Sequence, residues 1–301
     1  MLFRLPPALR AVACSCALAL STPLLTLLMM PAALLKLLVP ATPVRRVCDR
    51  WAIGLATAWV AVNNAWIAAL RPSGTPDWDV QGLEGLDPKG WYLVSPNHQS
   101  WVDILVLQRI FHPRIPFLKF FLKQELIWVP VIGLAWWALD FPFMKRHSLA
   151  ALRKNPELRQ QDRETTRKAC AKFALVPTSV MNFAEGTRFT RAKHHAQKSP
   201  YRHLLKPKIG GLGIALATMG EQFESMLDVT IVYPHGTPTF WELLSGRLDA
   251  VLVRVQPRDI PAEVLGGDPV GDKAYRQRLT AWIEGLWAEK DALIERLLGG
   301  G

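Results

Sequence analysis

The reading turns on Trp91-Tyr92-Leu93-Val94-Ser95-Pro96-Asn97-His98-Gln99-Ser100-Trp101-Val102-Asp103. An apolar run at 91–94 has the composition of a buried strand. It breaks at Ser95-Pro96, and a helical pattern starts near Trp101 and continues to residue 111. Strand, short turn, helix is the repeating unit of α/β folds. The same alternation extends downstream. Further strand-like runs fall at 115–118, 141–144, 179–183, 229–233 and 251–255, and further helical patterns at 157–175, 212–219 and 273–298. The expected fold is α/β: a mixed, mainly parallel sheet flanked by helices, with an N-terminal apolar helical hairpin.

That hairpin is read upstream. Residues 11–35 and 51–70 carry no charge, and about 20 apolar residues suffice for a helix to cross a bilayer. Arg4 and Arg10 precede the first stretch, as in a signal peptide, but a second apolar segment so close behind favours a retained anchor. The connector holds Lys36, Arg45, Arg46 and Arg50. Two spanning helices would put this basic connector opposite the rest of the chain, against the positive-inside tendency. Pro23 and Pro31 are also expected to kink the first helix. A hairpin dipping into one leaflet, its basic turn near headgroups, fits better. Arg71-Pro72-Ser73-Gly74-Thr75-Pro76 reads as a linker, dividing an anchor at 1–75 from a catalytic domain at 76–301. The apolar stretch 126–139, broken by Pro130 and Gly133, is expected to be buried or membrane-facing. The amphipathic pattern at 273–298 fits packing on the sheet or lying on the membrane.

Lys and Arg total 36 against 25 Asp and Glu, a net charge of +11. Such a balance suits an anionic partner, whether nucleic acid, membrane surface or phosphorylated substrate. No nucleic-acid-binding motif accompanies the charge, so nucleic acid is the weakest of the three. The cysteines Cys14, Cys16, Cys48 and Cys170 form no CxxC pair, which argues against a zinc site or disulfide framework. Cys170 reads as a small packing residue rather than a nucleophile.

The chemistry centres on His98 and Asp103. On a continuous helix, residues five apart do not share a face. At a strand-to-helix turn the imidazole can fold back onto the first helical turn, where Asp103 can fix its tautomer and leave the other nitrogen as a base. No Gly-x-Ser-x-Gly elbow supplies a nucleophile, so such a base would act directly on a substrate hydroxyl. The competing reading is a capping turn, with Asn97 or Ser100 as the cap. A second motif, Phe183-Ala184-Glu185-Gly186-Thr187-Arg188, follows another strand-like run. Gly186 permits a tight turn, and Arg188 offers a fork for phosphate. Beyond it, Arg191, Lys193, Lys198, Arg202, Lys206 and Lys208 could form a basic wall or merely a solvated loop. His194, His195 and His203 lack the partners of a zinc site.

Together these segments resemble the 1-acyl-glycerol-3-phosphate acyltransferase family across roughly residues 90–240. His98, four residues and Asp103 look like its first motif. Phe143-Met144-Lys145-Arg146 looks like the second, Glu185-Gly186-Thr187-Arg188 like the third and Val232-Tyr233-Pro234 like the fourth. Tyr233 departs from the small aliphatic residue common before that proline. The resemblance implies a membrane enzyme on the cytoplasmic side of a bacterial inner membrane. It implies acyl transfer from acyl-CoA or acyl-carrier protein to a lysophospholipid, lysophosphatidic acid foremost. His98 and Asp103 would be catalytic. Arg146, Glu185, Gly186, Thr187 and Arg188 would hold phosphate, with Lys123 a further candidate, and Tyr233 and Pro234 would lie in the acyl-donor region. No metal or other cofactor is implied. Two rival readings are a non-catalytic binder of anionic lipid and a thioesterase in which His98 activates water.

Overall fold

The sheet that forms from these runs has six strands. In this computed structural model, which describes residues 2–39, 41–72, 77–144, 176–269 and 271–299, they are β1 (Asp79–Gln81), β2 (Tyr92–Pro96), β3 (Leu118–Phe120), β6 (Ser179–Met181), β7 (Ser225–Val232) and β8 (Leu252–Arg258), in spatial order β1-β8-β7-β2-β6-β3. Every neighbouring pair is parallel except β7 with β8. The expected mixed, mainly parallel sheet is therefore present. Side chains alternate across it: Tyr92 and Val94 enter one core, Leu93 the other, as the two-residue period of a strand requires.

The first core packs under α3 (Val102–Phe111) and the hairpin. The second packs under α6 (Ile209–Met219) and α8 (Lys273–Gly299). Helix α8 buries Tyr275, Leu279, Ile283, Trp287 and Ile294, so of its two expected placements it takes the one on the sheet.

Several boundaries differ from the expected ones. The strand read at 115–118 begins at Leu118, because Pro116 cannot donate to a ladder. The run at 141–144 shortens to β5 (Phe143–Met144), which pairs with β4 (Leu122–Lys123) outside the main sheet. Strand β7 starts four residues early, since Asp228 interrupts its apolar pattern yet lies within the strand. The stretch 126–139 contains α4 (Ile132–Ala138), and part of the basic stretch folds as α5 (Arg191–Gln197) rather than a loop. Thr190 caps α5, accepting from the Lys193 amide at 3.2 Å and satisfying a donor left open at a helix start. Near residue 240 a capping box of Thr239 and Glu242 starts the short α7 (Phe240–Leu244). The helical pattern at 157–175, Cys170 and Arg146 lie outside the described residues.

Helices α1 (Pro7–Leu38) and α2 (Thr42–Ala69) form the hairpin, and α1 runs uninterrupted through Pro23 and Pro31. Both are long and apolar enough to cross a membrane. Yet the hairpin is fastened to the α/β part at both ends. Near its base, Ala11, Cys14, Trp66 and Leu70 share a core with Val106 and Ile110. Near its turn, Met29, Ala33, Ala52 and Ala56 share one with Leu122, Leu139 and Phe141.

The turn also holds a buried ion cluster. Lys36 Nζ bonds Asp49 at 2.8 Å, Asp140 at 2.7 Å and the Ala138 carbonyl at 2.8 Å. Arg45 reaches Asp140 at 3.0 Å. Two of the four connector cations expected at headgroups therefore face inward. Near this cluster, burial lowers the Lys119 ammonium to about 8, against the attraction of Asp140 and Asp49. Removing one partner of a buried pair strands the other, which costs about 3–5 kcal/mol. Asp140→Ala should therefore lower the thermal unfolding midpoint of detergent-solubilised protein far more than a change at an exposed site such as Glu84→Ala.

Candidate active site

The site begins where the backbone leaves the sheet. Pairing of β2 with β7 ends at Pro96 opposite Val229. Asn97 then extends it with its side chain: the amide oxygen accepts from Ile231 N at 2.7 Å and the amide nitrogen donates to Ile231 O at 2.9 Å. The main chain is thereby free to turn at His98 while remaining tied to β7.

Asp103, in the first turn of α3, is wholly buried. Its Oδ2 accepts from Gln99 N at 2.6 Å, Ser100 N at 2.9 Å and His98 Nδ1 at 2.9 Å. Its Oδ1 accepts from the Tyr233 hydroxyl at 2.6 Å. Capping turn and His–Asp pair thus coexist, because one carboxylate serves both. Since the carboxylate only accepts, the imidazole proton belongs on Nδ1 and the lone pair on Nε2. Among the described residues Nε2 has no hydrogen-bond partner. The ring stacks on Phe183, centroids 3.9 Å apart and planes at 18°.

The second motif closes over this turn. Glu185 is fully buried; its Oε1 accepts from His98 N at 2.8 Å and its Oε2 from Leu205 N at 2.9 Å. Glu185, read from sequence as part of the phosphate site, braces the His98 backbone against Leu205. Burial raises its carboxyl to about 7, the two backbone bonds and Lys290 opposing. Gly186 has φ +68°, a conformation that favours glycine. Thr187 Oγ1 accepts from Lys193 Nζ at 2.8 Å. The Arg188 guanidinium lies over the Trp101 ring, 4.6 Å from its centroid.

Tyr233 is also a support within the structure. Read as part of an acyl-donor region, it is buried and spends its hydroxyl on Asp103. Burial and the Asp103 charge raise the phenol well above its ordinary value. The neighbouring Pro234 is exposed, as is Lys123 on β4.

Sequence reasoning missed Lys290 of α8. Its fully buried Nζ donates to Ser95 O at 3.2 Å and Val229 O at 2.6 Å, and it pairs with Asp228. Burial lowers the Lys290 ammonium, opposed chiefly by Asp228. The signal was present: Lys290 sits in the apolar stripe formed by Ile283, Leu286, Trp287 and Ile294, and Asp228 sits inside an apolar strand.

Trp101 also lines a cavity of about 570 Å³ between the hairpin and α3, β3 and α4. Its walls include Leu25, Met29, Trp59, Leu105, Phe120 and Leu139, with Gln108 among its few polar residues. Trp101 thus joins an arginine to an apolar chamber, three residues along the chain from His98. Such a layout suits an enzyme that deprotonates a hydroxyl on a substrate with both an anionic and a hydrocarbon part.

Comparison with known proteins identifies the family. The acyltransferase family model matches residues 77–236, just over half of the chain; the chain belongs to this family. The 1-acyl-sn-glycerol-3-phosphate acyltransferase delta of Mus musculus is 27% identical over 191 residues, covering 59% of this chain and 44% of that protein. The gamma form of Mus musculus is 28% identical, with 45% of its length covered. The chain therefore spans less than half the length of these curated relatives. The crystal structure of the 1-acyl-sn-glycerophosphate (LPA) acyltransferase, PlsC, from Thermotoga maritima aligns over 90% of this chain and 95% of that one, with 19% identity and TM-score 0.46.

The raised carboxyl of Glu185 has a definite sign in stability. Between its ordinary value near 4.5 and about 7, the folded state holds a proton that the unfolded state has released. Its contribution therefore becomes progressively unfavourable as pH rises through that window, by on the order of 3 kcal/mol once above it. Glu185→Gln should gain stability relative to the wild type on going from pH 5 to pH 8, measured by thermal unfolding in detergent.

Proposed function

We propose that this protein transfers a fatty acyl group from acyl-CoA or acyl-carrier protein to the free hydroxyl of a lysophospholipid. The foremost acceptor is lysophosphatidic acid, which would become phosphatidic acid. One observation carries the reading: His98, held by Asp103 with Nε2 open, stands three residues from Trp101, which carries Arg188 on its ring and lines the apolar cavity. The names of the mammalian relatives support the same acceptor.

In this scheme His98 Nε2 takes the acceptor hydroxyl proton as the oxygen attacks the thioester carbonyl. The tetrahedral intermediate collapses, the C–S bond breaks, and the departing thiolate recovers the proton from the imidazolium. Asp103 keeps the ring in its productive tautomer and stabilises its positive charge. Arg188, joined by Arg146 on the strength of the resemblance, binds the acceptor phosphate, so that binding becomes positioning. The cavity holds a hydrocarbon chain out of water. No metal or other cofactor takes part, and the acyl thioester is a co-substrate.

In this reading the hairpin dips into one leaflet, with the catalytic domain on the cytoplasmic face of a bacterial inner membrane. Support comes from the exposed Leu20, Leu24, Leu27 and Leu38 of α1, together with Trp128, Leu134 and Trp241, which make a hydrophobic surface suited to lipid.

A general base of this kind contributes about 10²–10⁴ in rate. His98→Ala should lose acyl transfer by that factor while unfolding at the wild-type temperature. The readout is mass spectrometry of lipid products from purified protein given mixed lysophospholipids and acyl-CoA. Near-full transfer by the variant would sink the scheme, and thiol release independent of any acceptor would make the protein a hydrolase.

A further inference from the structure

A second cleft lies at the opposite end of the sheet from His98. One wall is a face of α2, formed by Arg46, Arg50, Ile53 and Gly54. The other wall includes Pro88, Pro116 and Pro177, which precede β2, β3 and β6, and the enclosed space is about 430 Å³. These strands are parallel, and His98 follows the C-terminal end of β2, so the cleft is remote from the dyad.

Its chemistry is divided. Arg46 and Arg50 are four residues apart and lie on one helix face. Both are exposed, and neither forms an ion pair among the described residues. Their neighbours in the connector differ: Lys36 and Arg45 are consumed by Asp49 and Asp140. Among the described residues no carboxylate lines the cleft. The three prolines lack N–H groups, so the arginines are the cationic donors at its mouth, and the opposite wall offers mainly hydrocarbon. Val47 and Trp51, beside the arginines on α2, are exposed by 65% and 56%. Tryptophan next to arginine is the composition of a membrane-interface anchor.

Gly54 keeps part of this space open, since a Cβ there would meet nothing within 4 Å. Ile53, Pro88, Pro116 and Phe117 also border an adjoining cavity of about 210 Å³. A chain entering at the arginines thus has apolar room to continue.

We propose that this cleft binds one anionic phospholipid of the surrounding bilayer, with its phosphate on Arg46 and Arg50 and an acyl tail against Ile53 and Phe117. The lipid is a fixture that neutralises two cations at the membrane face. It is neither acceptor nor product at His98, and the proposal does not rest on the reaction assigned there.

The full chain is purified in detergent and exposed separately to phosphatidylglycerol and phosphatidylcholine, and lipid retention is read by native mass spectrometry. The wild type should keep one phosphatidylglycerol per chain and release phosphatidylcholine. Arg46→Gln/Arg50→Gln should weaken retention about thirtyfold, the combined worth of two cations near a membrane surface. Gly54→Leu, which intrudes on the cleft beside the arginines and raises helix propensity, should weaken it with both arginines intact. Inorganic phosphate should fail to displace the lipid. Three results would each overturn the proposal: full retention by Gly54→Leu, which would mean that charge alone attracts lipid; equal retention of phosphatidylcholine; or displacement by phosphate, which would make the site one for the free anion.

Discussion

Asp103 is an anion removed from water, and such a group is tolerated only when its lone pairs are occupied. Four donors occupy them, drawn from three parts of the site. Gln99 N and Ser100 N fix the turn, His98 Nδ1 fixes the ring, and the Tyr233 hydroxyl fixes the end of β7. Satisfying one carboxylate thus sets the turn, the tautomer and the relation of helix to sheet together. The imidazole is thereby held in one orientation and one tautomer by the fold itself.

Around that carboxylate the protein uses buried polar groups as joints. Asn97 replaces the backbone where the main chain leaves the ladder. Glu185 ties the His98 amide to Leu205, so that two stretches of loop cannot separate. Lys290 gathers two strand carbonyls from below. A second group of buried charges, around Lys36 and Asp140, performs the same service at the turn of the hairpin. The apolar chamber lies between these two fastened regions, with walls contributed from both sides. Its shape therefore depends on the hairpin holding its place against the α/β part.

The parts legible in sequence are those encoded by neighbours. The period of apolar residues disclosed most strands and the long helices, and the spacing of His98 and Asp103 disclosed the pair, because a turn and one helical turn bring them together. What escaped was set by distant contacts. Glu185 and Tyr233 could be read as important but not as supports, since their partners are far along the chain. Lys36 and Arg45 looked like cations for headgroups because Asp140, roughly a hundred residues away, is invisible to a local reading. Short strands such as β1 and β4 carry too few residues to show a period. Lys290 is the instructive case: a lysine in an apolar helical stripe is an anomaly, and its counterpart is an aspartate inside an apolar strand.

The contacts of Lys290 with Ser95 and Val229 span 195 and 61 residues of chain. During synthesis the strand that leads into the His98 turn leaves the ribosome long before its supporting cation exists. Loops this long close late, after more local structure has formed. The order of manufacture therefore places the apolar hairpin first and the support of the His98 turn last. A growing chain exposes its apolar hairpin before it owns a finished site.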